Sequence, residues 1–297
     1  MMRRAIAMAI LVVGLLAIES GQASTLTIET DQLIVSDATG NLSNDQLKVL
    51  ADKVQAMLAG VLKFWSADAG VDRFGKIQVV FDFPQRAGVY TSVFYWETKN
   101  SERRRIVRVF GTERPPQLMA HKLTSAVFPQ KDKLIRNAMG ILSEAQIGNP
   151  LSFPRCGFDS DDWVLALMNT KSIIPLDELG PDHESWGMRD AGGGNLLVLD
   201  RAKQHKAYAE AGSFGNYLFR TYGIERIKQL HRRSFEKDRP THDVFGKTIQ
   251  ELDVSWQTSI RADEKGRTAN ASTLSKLIRR NPRTACSEAQ QLAISKP

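Results

Sequence analysis

The residues of this chain best spaced for chemistry lie in Ala120-His121-Lys122-Leu123-Thr124-Ser125-Ala126-Val127-Phe128. On a helix, positions i and i+4 share a face, so two imidazoles at that spacing can hold one zinc ion while a glutamate at i+1 acts as general base on its bound water. Here position i is His121, the general-base position is Lys122 and position i+4 is Ser125. An ammonium about 5 Å from a divalent ion repels it by roughly 6–7 kcal/mol at an effective dielectric of 20. A hydroxyl is also a poor zinc ligand beside imidazole. The spacing is that of a metal helix, and the residue types are not.

Other chemistry-bearing residues offer no replacement. Glu144 lies about 10 Å along the axis of its own helix from Asn137, by the rise per residue, too far to stand in for it. His183, His205, His231 and His242 are scattered, and His183-Glu184 has no second histidine four residues after the first. Ser125 with Lys122 suggests a Ser/Lys hydrolase, but no strained elbow or oxyanion loop accompanies them, and packing and ion-pair roles are the simpler expectation. Gly192-Gly193-Gly194 lacks the Lys-Ser/Thr of a phosphate loop and reads as a connection.

The elements that must position these residues can be read from periodicity. Residues 25–36 alternate as one or two short strands. Ser43 and Gln46 form a capping box ahead of a helix whose Leu47, Leu50, Val54, Met57, Leu58, Val61, Leu62 and Trp65 share one face. Segments 76–83, 89–98 and 104–111 read as three strands of a small sheet. The arginines of the last alternate sides, which predicts a solvent-facing edge strand. Helices are expected over 116–128, 133–147 and 160–170, then over 207–223 with Gly223 as C-cap, over 224–235 and over 247–260. Residues 263–297 read as a polar tail with one helix near 272–280. A mixed α/β part over about 24–130 followed by an all-α part over about 131–262 is an α+β arrangement.

This order of elements and its motifs resemble the gluzincin-type zinc metallopeptidases, specifically the bacterial peptidase-MA-like domains. In those domains a helix, a sheet and an edge strand precede an HELxH helix, and a W-L-x-E-G-L-A helix supplies a glutamate ligand. The corresponding places here are 120–128 and Lys133 to Leu142. Pro175-Leu176-Asp177-Glu178-Leu179, Ser213-Phe214-Gly215-Asn216-Tyr217-Leu218 with Tyr222-Gly223, and Leu252 to Trp256 then follow in the family's order. The resemblance covers roughly residues 45–260 and implies a zincin-like fold. Carried over residue by residue, it puts ligands at His121, Ser125 and Asn137 and the general base at Lys122. Only His121 matches, so it implies a degenerate member without zinc or other cofactor, leaning away from an enzyme.

The first 23 residues, with Arg3, Arg4, an apolar run and Gly21-Gln22-Ala23, read as a secretory signal cleaved after Ala23. The expectation is a bacterial periplasmic or secreted protein with no membrane span after cleavage. In such a compartment the two cysteines, Cys156 and Cys286, are expected to be bridged. The formal net charge of +7 could draw the protein to anionic polymers, although a solvated basic surface is the plainer reading, and no nucleic acid is expected. The sequence thus favours a pseudopeptidase that binds a peptide or protein in its former active-site cleft. Arg103, Arg104, Arg105 and Arg108 would line the strand edge and favour acidic ligands. An active hydrolase with an unrecognised site and a basic binder of anionic envelope polymers are the alternatives.

Overall fold

The structure, a computed structural model, describes residues 26–83, 91–110, 119–192 and 196–295. The signal segment 1–23 and the Gly193-Gly194 pair lie outside these, as does the start of the helix expected from residue 116. The chain begins with β1 (Thr27–Glu29), β2 (Leu33–Asp37) and α1 (Asn44–Trp65). The short α2 (Val71–Phe74) then leads to β3 (Ile77–Asp82), β4 (Thr91–Lys99) and β5 (Glu102–Phe110). Helices α3 (Met119–Val127), α4 (Lys133–Ile147) and α5 (Ser160–Asn169) follow, then the hairpin β6 (Met188–Asp190) and β7 (Leu196–Val198). The rest is α6 (Arg201–Arg233), α7 (Thr241–Phe245), α8 (Ile249–Ala262), α9 (Glu264–Arg280) and α10 (Ala285–Ser295). An N-terminal mixed sheet followed by a helical half is an α+β fold.

The capping box at Ser43 and Gln46 starts α1, and Leu47, Leu50, Val54, Leu58, Val61 and Trp65 are its buried stripe. Trp65 Nε1 donates to Ser143 Oγ on α4 at 2.7 Å, and Thr124 Oγ1 on α3 donates to the same oxygen at 2.8 Å. One buried serine therefore ties three helices together. Every residue of α3 is buried, which makes it the central helix of the domain. Helix α6 packs closely on α4 because Gly215 is small: a Cβ there would lie 2.6 Å from the Ala138 carbonyl oxygen. The helix runs through Gly223, whose φ of 76° breaks the helical geometry between the two segments read from the sequence.

The five-stranded sheet has the order β1-β2-β3-β5-β4. Strand β5 pairs in parallel with β3 and antiparallel with β4, so it lies inside the sheet, and β4 is the edge. This overturns the edge reading of 104–111 and the arginine-lined edge built on it. Arg105 is fully buried and donates to the carbonyls of Ala69 at 2.7 Å, Ala126 at 3.0 Å and Gly75. Its guanidinium fork thereby satisfies chain-end carbonyls around α2 and α3. Arg108 donates from Nε to Asp82 on β3 at 2.7 Å, and Arg104 donates from Nε to Glu102 at 3.0 Å. Only Arg103, stacked 4.2 Å over Trp96 of β4, reaches the cleft described below. Arginines on alternate sides mimic a solvated edge, but Arg105 and Arg108 have partners inside the fold, and Arg104 pairs with Glu102 at the surface.

The C-terminal segment read as a polar tail is two helices, with the single expected helix lying inside α9. The buried Ala271, Leu274, Leu277 and Ile278 give α9 an apolar face, and Arg267 and Asn270 bind Asp162 of α5, each at 2.9 Å. Small and polar residues hide this amphipathic face from a composition-based reading. Cys156 and Cys286 form a disulfide across 130 residues, pinning α10 to the segment before α5. Among the described residues, no helix is long and apolar enough to cross a membrane.

A loop of that length corresponds to about 5 kcal/mol in the chain-entropy model, with measured losses of about 2–5 kcal/mol for native bridges. The double variant Cys156→Ser/Cys286→Ser is expected to lose stability in that range by urea denaturation. An unchanged midpoint would mean that the bridge does not constrain the chain.

Candidate functional site

A cleft of about 590 Å³ opens between the edge strand β4 and helices α3 and α4. Four consecutive β4 residues, Val93 to Trp96, line it. Since alternate strand side chains point to opposite faces, a run of four shows that the strand presents its edge to the cleft. Helix α3 contributes Lys122 and Ser125, one turn apart, and α4 contributes Lys133, Arg136 and Asn137 at i, i+3 and i+4. Tyr208 of α6 and His183 close it, and Arg73 and Lys131 add positive charge. Asp190 is the one acidic side chain lining it among the described residues.

The residues predicted at metal positions are brought together, but not as ligands. His121 is fully buried and its ring lies over Gly140 of α4, where a Cβ would come within 2.0 Å of His121 Cδ2. Its Nε2 is 3.1 Å from Asn137 Oδ1, and Nδ1 has no partner. Burial first, and Lys122 second, hold its pKa well below the usual histidine range, so the ring is neutral and Nε2–H donates to the amide oxygen. Ser125 Oγ donates to the His121 carbonyl at 3.1 Å. Glu144 accepts from the His121 backbone N at 3.2 Å, from Asn149 N at 3.2 Å and from Ser152 Oγ at 3.2 Å. With no carboxylate among the cleft residues contributed by α3 and α4, and with the histidine and serine tied into the helices, this set does not fit a zinc ion. Nor does Ser125 hydrogen-bond a base, as a nucleophile would require.

Two further histidines have structural partners. His205 Nε2 and His231 Nε2 face the carbonyls of Pro154 at 2.9 Å and Pro129 at 3.2 Å. Burial brings both pKa values down to about 4. Cys156, His205 and Cys286 place their ligand atoms within 4.8 Å of one another, but sulfurs joined in a disulfide are not thiolate ligands.

What the cleft does concentrate is positive charge. Burial, and then the neighbouring Arg136, push Lys122 down to about 7, and the same two causes in the same order bring Lys133 to about 7. Lys133 Nζ donates to His183 Nδ1 at 2.6 Å and lies 5.5 Å from the centre of the Trp186 ring. Neither Lys133 nor Arg136 stands out in the sequence beside the histidine motif. The signal was available, because 133, 136 and 137 fall on one face of a helix whose Asn137 had already been placed at the site.

No family model, no curated protein and no solved structure matches the chain. The resemblance to peptidase-MA-like domains is one of short motifs and element order alone.

Two expectations follow from this packing. Gly140→Ala must push the His121 ring out of place and should destabilise the fold by about 1–3 kcal/mol, measured by chemical denaturation; a neutral substitution would show that α3 and α4 can separate freely. The second concerns Lys122, whose folded-state pKa lies below its unfolded value of 10.5. The unfolded chain then binds the proton more tightly, so the destabilisation is complete below pH 7 and relieved as pH rises from 7 towards 10.5. Lys122→Met should raise the melting temperature at pH 7 by about 2 °C or more and flatten its rise with pH. A lower melting temperature for this variant would contradict the account.

Proposed function

We propose that the protein is an exported, non-catalytic relative of the peptidase-MA-like domains, and that its former catalytic cleft binds an extended segment of a peptide or protein. The observation that carries this reading is the cleft itself: the edge of β4 faces it, and Lys122, at the position the resemblance gives to the general base, lines it together with Lys133 and Arg136. No strand pairs with the far side of β4 among the described residues. An edge of this kind is the template for strand addition, in which main-chain hydrogen bonds give affinity and alternate side chains give specificity. Tyr95, Trp96 and Phe94 offer the aromatic surface that such ligands use as anchors. The Cys156–Cys286 disulfide suits an oxidising compartment, in keeping with export.

The reading is tested on the purified mature protein by two measurements. After equilibration with zinc and desalting, elemental analysis should find less than about a tenth of an equivalent of metal, given the donor set. Peptides from a random-sequence pool should be retained intact, and Trp96→Ala should weaken retention by about tenfold or more. A full equivalent of zinc, or cleavage of the pool that Lys122→Met abolishes, would overturn the non-catalytic reading.

A further inference from the structure

The inner part of the cleft carries a more specific feature, which rests on the peptide-cleft reading. Lys122, Lys133 and Arg136 converge there, and none of them belongs to an ion pair among the described residues. The acids that act on them are committed elsewhere. Arg136 faces Tyr208, whose phenol is pushed up to about 12 by burial and so is neutral, and then Asp132, which is bound by Arg239 at 2.7 Å. Glu144, which acts on Lys122, is held by the three donors described above. Asp182 and Glu184 also act on Lys133, but Asp182 accepts from Ser185 N at 2.6 Å and Glu184 faces Arg189 at 4.0 Å.

A second observation points to a ligand. Asn137 is 1 % exposed and lines the cleft; its Oδ1 is taken by His121, and its amide Nδ2 has no hydrogen-bond partner among the described residues. A buried donor left unsatisfied is uncommon in folded proteins and calls for an explanation. Three basic groups without an ion-pair partner among the described residues, beside such a donor, form a socket for an oxyanion: Arg136 supplies a planar fork, the lysines supply point charges once protonated and Asn137 supplies a neutral N–H.

We infer that Lys122, Lys133, Arg136 and Asn137 form an oxyanion site that seats a carboxylate of the bound peptide, either its C-terminus or an acidic side chain, at the inner end of the β4 edge. Anion recognition thus belongs to the two central helices and not to the arginine run of β5. Binding must also move protons. With both lysines titrating near 7 in the free protein, an anion among them favours the ammonium forms, so binding takes up protons at pH 7.5 and weakens as pH rises from there.

The test is calorimetric titration at pH 7.5 in two phosphate-free buffers of different ionisation enthalpy. The probes are acetyl-tetraglutamate, its C-terminal amide, acetyl-tetraglutamine amide and inorganic phosphate. Acetyl-tetraglutamate should bind at least about tenfold more tightly than the tetraglutamine amide, with net proton uptake that Lys122→Met and Lys133→Met each reduce. Comparing the tetraglutamate acid with its amide separates a terminal from a side-chain carboxylate. Because the uptake is read on the unaltered protein, the result does not depend on how well the variants fold. Equal binding of the tetraglutamine amide, or binding without proton uptake, would overturn the oxyanion site while leaving the peptide cleft standing. Phosphate binding with proton uptake, and no peptide binding, would support the oxyanion chemistry and overturn the peptide reading. No binding by any probe would overturn both.

Discussion

The contact on which the rest of this molecule depends is the seating of the His121 ring on Gly140, where α3 crosses α4. It lets two fully packed helices approach until the imidazole reaches Asn137 and the His121 backbone N reaches Glu144. Ser143, one turn beyond Gly140 on α4, then receives hydrogen bonds from Trp65 and Thr124, so α1 is fixed by the same junction. Because α3 is buried along its whole length, the residue after His121 has one outlet, and Lys122 emerges at the inner part of the cleft. His121 is thus a structural wedge between α3 and α4, and its position determines where the basic site lies.

Such a site is costly to keep. Burying two ammonium groups beside a guanidinium without counter-ions opposes folding, and the lysines respond by lowering their affinity for protons. The apolar contacts of α1, α3, α4 and α6 must outweigh that opposition, and the disulfide adds to them by holding the C-terminal helices in place. A proposed role in anion binding accounts for why the fold tolerates the cluster: the ligand supplies the charge that the protein omits.

Much of the fold was legible in the sequence because its signals are local. The capping box at Ser43, the stripe from Leu47 to Trp65 and the helix over 133–147 follow from spacing alone. Strand order was not legible, because which strand becomes the edge depends on crossovers over long distances. Arg105 shows the difficulty, since a charged residue in an alternating run reads as solvated until the carbonyls it binds are placed in space. The C-terminal helices escaped for a different reason: α9 buries small residues and is held to α5 by Arg267 and Asn270, neither of which marks an apolar face. At the site, the motif around His121 located the right helix pair. The groups that give the cleft its character, Lys133 and Arg136, emerge only when α4 is set against Lys122.

Lys122, Lys133 and Arg136 lie together without an ion-pair partner among the described residues, and the consequence can be tested on a single residue. The rate of acetylation of Lys122 by acetic anhydride, followed against pH by peptide mass spectrometry, reports the fraction of neutral amine. The account predicts a titration near 7 in the free protein and an upward shift when acetyl-tetraglutamate is present. A titration near the ordinary lysine value, about 10.4, in the free protein would contradict it, because Lys122 would then be solvated or already paired.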